Sequence, residues 1–348
     1  MKLSVLDQSP IPAGFTAADA LHNTIDLARY TESLGYDRYW IAEHHATASL
    51  ASPAPEIMIA RVAAETSTIR VGSGAVLLPH YSALKVVETF RVLHALYPGR
   101  IDLGIGRAPG GTRLDSYALQ RERSNEAIDK EDFGHQMVEL LTFFRNEYPE
   151  EHVFSRIRVS PDMPGFPQVW LLGSSGWSAD AAAFLGLPYG AAHFINPDTT
   201  RAAIDHYREH YKPSPEWPEP RVVIAAGAIV ADTAEEAEFL YSSQRLRRLL
   251  RDLGETGPVP TPEEATQRLV ELDPPPSTER SEWPRMLVGD VAGVKAWLDE
   301  MASELGVDDF MLVTVVHNHE ARKRSYELLS KAYGLTAPTE AAANAWNA

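Results

Sequence analysis

Short runs of β-type residues alternate with amphipathic helical runs over most of this chain, and few folds accept that pattern. About eight such units can be counted, and alternation of this kind marks βαβ units wound around a parallel sheet. The expected strands cover residues 3–7, 39–42, 69–78, 100–106, 169–172, 189–194, 222–230 and 310–316. Between them, helical spacing runs over 17–34, 53–66, 83–97, within 123–144, to 183, and over 198–211, 232–253, 291–305 and 320–333. Gly35 is placed to end the first helix, and Asp232-Thr233-Ala234-Glu235 opens a later one in the manner of a capping box. Gly72 and Gly74 interrupt the third strand, where glycine signals a close approach to the backbone.

The 348 residues could divide into two domains, but α/β barrels commonly exceed 200 residues as one. We therefore expect one domain over 1–335. It includes a proline-rich stretch at 254–284 without periodicity, expected to be a mobile insertion loop, and an alanine-rich mobile tail follows at 336–348. An excess of 48 acidic over 32 basic residues gives a formal charge of −16, which argues against nucleic acid or an anionic membrane as partner. Cysteine is absent, so disulfides, thiolate nucleophiles and thiolate metal sites are excluded. The N-terminal apolar run breaks at Asp7 and has neither the form of a signal peptide nor that of a membrane span, so a cytoplasmic location is expected.

In a barrel of this kind chemistry sits just beyond the strand ends. Gly173-Ser174-Ser175-Gly176-Trp177-Ser178 carries a strand directly into a helix, either as a cradle of free N–H groups for a phosphate or simply as an N-cap turn. Arg107 follows another strand and could clamp a phosphate or form a surface salt bridge. Glu43-His44-His45 ends the second strand, where an imidazole can serve as a base or as a structural hydrogen-bonding group. His317 and His319 have the i, i+2 spacing of a metal pair. A barrel hydrolase usually carries such a pair on its first strand, which here reads Leu-Ser-Val-Leu-Asp-Gln-Ser, and no metal is expected. The arginines at 245–251, Arg247 and Arg248 among them, read as the solvated face of a helix.

Five segments together, in this order and spacing, resemble the bacterial-luciferase-like, flavin-dependent monooxygenase family. They are Leu6-Asp7-Gln8-Ser9-Pro10, Trp40-Ile41-Ala42-Glu43-His44-His45, the run from Arg70 to Pro79, the run from Gly99 to Arg107, and Leu172-Gly173-Ser174-Ser175. The resemblance implies an α/β fold, a (β/α)8 TIM barrel with an insertion between strands 7 and 8. It implies FMN as cofactor, with its phosphate against Arg107 and the turn of Gly173, Ser174, Ser175, Gly176, Trp177 and Ser178. That position departs from the barrel phosphate site after strands seven and eight. The ring would lie over a non-proline cis peptide at Ser73-Gly74, with its reactive edge toward a catalytic His44.

The activity implied is oxygenation of a small organic substrate by reduced FMN and O2 through a C4a-(hydro)peroxyflavin. A separate flavin reductase would supply the FMNH2, since no nicotinamide-binding unit is present, and the family pattern implies a homodimer. Luciferase proper is a heterodimer acting on long-chain aldehydes, whereas the Glu-His-His and Arg-Ala-Pro-Gly-Gly patterns look like the broader bacterial branch, so light emission is not implied. Alternatives are a deazaflavin-dependent hydride-transfer enzyme on the same barrel, a non-catalytic flavin-binding protein, and a metal-dependent hydrolase.

Overall fold

The computed structural model describes residues 1–108, 110–119, 132–274 and 281–337. Eight parallel strands close a barrel: β1 Lys2–Asp7, β2 Arg38–Ile41, β3 Arg70–Leu77, β4 Ile101–Gly106, β5 Gln168–Gly173, β6 Tyr189–Ala191, β7 Val222–Ala231 and β9 Asp309–Val313. Neighbours follow the chain from β1 to β6, β6 pairs with β7, and β9 lies between β7 and β1. The helices outside are α1 Ala17–Ser33, α2 Pro55–Glu65, α3 Ala83–Leu96, α4 Arg113–Leu119, α5 Phe133–Arg145, α6 Gly176–Leu185, α7 Thr200–His210, α8 Ala234–Asp252, α9 Pro262–Leu272, α10 Val291–Leu305 and α11 His319–Tyr333. The fold class expected from the sequence is thus observed. Part of the helix expected within 123–144, and the tail after 337, lie outside the described residues.

Successive strand residues face opposite sides, and the core divides accordingly. Val5, Tyr39, Ile41, Val71, Leu103 and Leu312 pack outward against helical residues such as Leu27, Ile59, Val87 and Leu298. Leu6, Trp40, Trp170, Val223, Ala225, Met311 and Val313 form a second cluster without any residue of α1–α11, which fills the inside. Below it, at the amino ends of the strands, the interior is charged. Asp102 accepts from Arg38 Nη1 at 2.6 Å, from Arg70 Nε at 3.0 Å and from Trp40 Nε1 at 2.9 Å. Arg221 pairs with Asp309 at 3.3 Å. Gly72 is needed here for packing, because a Cβ would lie 2.6 Å from Asp102 Cβ and 2.9 Å from Trp40 Nε1.

Two elements between β7 and the last barrel strand differ from the sequence expectation. β8, Met286–Asp290, is an additional strand paired with residues 227–231 of β7, so β7 rises past the barrel rim to meet it. It escapes the sequence pattern because it is five residues long and its last residue, Asp290, caps the next helix by accepting from Gly293 N at 2.8 Å. The stretch 254–284 is also not without structure. Thr261 caps α9 by accepting from Glu264 N at 3.2 Å, and Val259 is fully buried within the inner cluster. Val259 N donates to Ile11 O and Ala13 N to Val259 O, both at 2.8 Å, which ties the insertion to the loop after β1. Residues 275–280 of that stretch lie outside the described residues.

Candidate active site

A cavity of about 430 Å³ opens at the carboxyl ends of the strands, a size usual for small-molecule sites. Its apolar lining includes Leu6, Trp40, Val223 and Met311, and Trp40 meets Trp170 edge to face at 5.4 Å. The tryptophans separate the cavity from the charge below: Arg38 lies over the Trp170 ring at 5.1 Å, and Trp40 donates down to Asp102.

One wall is the end of β3. Gly74 and Ala75 line the cavity, and a Cβ on Gly74 would come 2.5 Å from Leu6 Cδ1. The cis non-proline peptide is Gly74-Ala75, one residue beyond the expected Ser73-Gly74. Ser73 does not line the cavity. By strand alternation its side chain turns to the neighbouring strand, where Oγ donates to Gly104 O at 2.9 Å.

Gly173, Ser174, Ser175, Trp177 and Ser178 all line the cavity; Gly176 does not. Gly173 leaves room for Ser178, whose Oγ would lie 2.4 Å from a Cβ there. That hydroxyl donates to Ser175 O at 2.7 Å, so it serves the turn itself. Ser174 O is held by Thr199 Oγ1 at 2.9 Å. In the first turn of α6 the Ser178 N–H is taken by the Ser175 side chain in a capping box, while the N–H groups of Gly176 and Trp177 have no acceptor within the helix, which suits an anion. Arg107, exposed after β4, lies over the Trp177 ring at 4.4 Å, so two motifs some 70 residues apart in the sequence meet in the cavity lining.

His44 also lines the cavity. β2 ends at Ile41, which frees the backbone to turn, and His44 N donates to Ser52 O at 3.0 Å. Its Nδ1 is buried without a hydrogen-bond partner. Burial, and then the positive charge of Arg247 and the neighbouring His45, push its pKa down to about 4. The ring is therefore neutral at pH 7. His45 turns elsewhere, its Nε2 lying 2.6 Å from Glu43 Oε1. Glu43 also accepts from Tyr81 Oη at 2.9 Å and from Leu77 N at 3.0 Å, which fastens the end of β2 to the end of β3.

The sequence pointed to Glu43 only as part of a segment. Its i, i+2 spacing to His45 was the available signal for an internal pair. Gln8, Phe133, Phe194 and Ile195 also line the cavity, and the apolar ones carried no signal because loop and helix hydrophobics look alike in any core. The arginine run on α8 is not wholly solvated: Arg247 is half-buried and donates to Ser49 Oγ at 3.3 Å. His317 and His319 part company, His317 Nε2 reaching Ala13 O and His319 Nε2 reaching Asp26 Oδ2, both at 2.9 Å. Asp26, His319 and Glu320 bring possible ligand atoms together, but the Lys323 ammonium lies 3.0 Å from Asp26 and already supplies a cation.

The family model for luciferase-like monooxygenases matches residues 1–309. The chain belongs to the luciferase-like monooxygenase family. A luciferase-like monooxygenase of Escherichia coli K12 is 38% identical, covering 93% of this chain and 95% of that protein. An N-acetyl-S-alkylcysteine monooxygenase of Bacillus subtilis is 37% identical over 95% of this chain and 98% of its own length. The apo form of MsnO8 has the same fold with a TM-score of 0.88 and 45% identity, covering 96% of this chain and 98% of that one. Membership makes this luciferase-like monooxygenase an oxidoreductase. Among its described residues no helix is long and apolar enough to cross a membrane.

Proposed function

We propose that this luciferase-like monooxygenase binds reduced FMN, supplied by a separate reductase, and uses it with O2 to oxygenate a small organic substrate. The observation that carries the reading is the lining of one cavity. Arg107, over the Trp177 ring, and the 173–178 turn at the start of α6 share it with a neutral His44 whose Nδ1 is unpartnered.

The residues present suit a flavin. Arg107 and the first-turn amides of α6 would hold the phosphate, which needs both charge and directed donors. The Gly74-Ala75 edge presents almost no side chain to a planar ring. Leu6, Trp40, Val223 and Met311 keep water from its surroundings. Reduced flavin, when bound, supplies the two electrons that activate dioxygen. His44, neutral at pH 7, accepts a proton at Nδ1 and returns it, and Glu43 keeps the β2 and β3 ends in register beside it.

The test is a fluorescence titration of the purified protein with FMN, then under anaerobic conditions with FMNH2. Arg107→Ala removes a charge-assisted contact of about 1.5–3 kcal/mol, which raises Kd roughly 10- to 100-fold. A deazaflavin that binds more tightly than FMN would sink this reading.

A further inference from the structure

We propose that the Gln8 carboxamide holds the polar head of the substrate, so that the molecule oxygenated is uncharged, an apolar body with one neutral hydrogen-bonding group. This rests on the flavin-monooxygenase reading of the cavity and adds the substrate class to it.

Three observations support the assignment. First, Gln8 faces the cavity. Leu6 and Asp7 of β1 stand in register with Trp40 and Ile41 of β2, and Ala42 N donates to Asp7 O at 2.9 Å, which sets Gln8 beside Ala42. Along this edge Leu6 packs inside the barrel, Asp7 turns outward to Arg322 at 2.6 Å, and Gln8 turns in again to line the cavity. His44, two residues past Ala42 on the neighbouring strand end, lines the same cavity. Second, the fold does not use this carboxamide. Among the described residues it has no hydrogen-bond partner, although it is half-buried beside the inner cluster of Leu6, Trp40 and Ala42. A polar group kept in such a place costs free energy that an apolar side chain of the same shape does not, unless a ligand completes it. Third, the charge in the lining is committed. Among the described residues the lining side chains that carry charge at pH 7 are Glu43 and Arg107. Glu43 is taken by Tyr81 Oη, Leu77 N and His45, and Arg107 serves the flavin phosphate in the reading above. An ionised substrate would give up its water here without a counter-charge. A carboxamide, which donates through Nε2 and accepts through Oε1, suits a neutral head, and Leu6, Val223, Phe194 and Met311 offer an apolar lining to the body.

The test uses calorimetric titration of the purified protein, with and without FMN, against hexanamide and hexanoate, which share an apolar body and differ in charge. Wild type is expected to bind hexanamide more tightly, by roughly tenfold or more. Gln8→Met keeps the length of the side chain and removes both hydrogen-bonding groups. It should bind hexanamide about 5- to 10-fold more weakly and leave hexanoate within about twofold. Its urea midpoint should be no lower than that of wild type, because no hydrogen bond of the fold is lost. A midpoint that falls makes Gln8 a structural residue and overturns the proposal. So does a wild type without preference for hexanamide, or a Gln8→Met protein that binds hexanamide as wild type does. FMN titration of the same variant separates the two reactants. A Gln8→Met protein that loses FMN affinity as Arg107→Ala does assigns the carboxamide to the flavin and overturns the substrate role. Wild type that fails to bind FMN defeats the flavin reading alone, because the hexanamide preference is measured without flavin as well.

Discussion

At the amino ends of the strands the barrel is filled with paired charge, Asp102 between Arg38 and Arg70 and Asp309 with Arg221; at the carboxyl ends it is lined by glycines, apolar side chains and an imidazole without a partner. Trp40 and Trp170 lie between the two. The residue types overlap, since arginines stand at both ends, but their surroundings do not. Below, each of these charges has an opposite charge at bonding distance. Above, Arg107 lies over the Trp177 ring in the cavity lining. A polar residue at the start of a barrel strand here serves the fold, whereas past the strand ends His44 and Arg107 line the cavity.

If that contrast is right, the largest loss of stability comes from below. Asp102→Ala takes the shared buried carboxylate from Arg38 and Arg70, and removing one partner of a buried pair costs about 3–5 kcal/mol. Urea unfolding measures it, and a loss under about 1 kcal/mol would break the assignment of the lower layer to the fold. The molecules that remain folded should bind FMN as wild type does.

His44→Ala should show the opposite signature. Its unpartnered Nδ1 contributes no hydrogen bond to stability, so unfolding free energy should stay within about 1 kcal/mol of wild type. Loss of proton control lowers kcat by roughly 10²- to 10⁴-fold. Flavin titration and steady-state oxygen uptake on one preparation test both halves together. A variant that turns over normally would remove His44 from the chemistry.

The alternation of strand and helix was legible because parallel strands buried on both faces read as apolar runs, and the strand ends then located Arg107, His44 and the 173–178 turn. What stayed hidden was pairing across distance. Asp102, Arg38 and Arg70 are three ordinary charges in sequence, 64 and 32 residues apart, and nothing local says they share one interior. Gly72 and Gly74 signalled a close approach correctly but not to what: Gly72 makes room for Asp102 and Trp40, and Gly74 borders the cavity. Arg247 was misplaced because a run of arginines on an amphipathic helix looks solvated until the loop after β2 is seen to cover one of them. The α9 helix was masked by the prolines around it, although Pro262 sits at the first turn, where proline is tolerated.

The smallest effect separates the two ends on the pH axis. His44 has a folded pKa near 4 against an ordinary value of 6.5, so the unfolded chain takes up its proton first. Its contribution to stability is full above pH 6.5 and falls as pH drops toward 4, by at most about 1.4 kcal/mol per pH unit. Below, burial alone would raise the Asp102 and Asp7 carboxyls, but Arg38 and Arg70 at the one and Arg322 at the other hold both under the ordinary value of 3.8. Their contribution is present above 3.8 and is lost only as pH falls through those lower values. Urea unfolding of wild type and His44→Gln at pH 7, 6, 5 and 4.5 reads the difference directly, because His94 and His319, whose pKa values also fall on burial, are common to both proteins and cancel. The glutamine variant should lose less stability on acidification, so the two curves converge or cross between pH 6.5 and 4. Parallel curves would mean that His44 is not held neutral by the fold, and the upper end would lose the property that sets it apart from the lower.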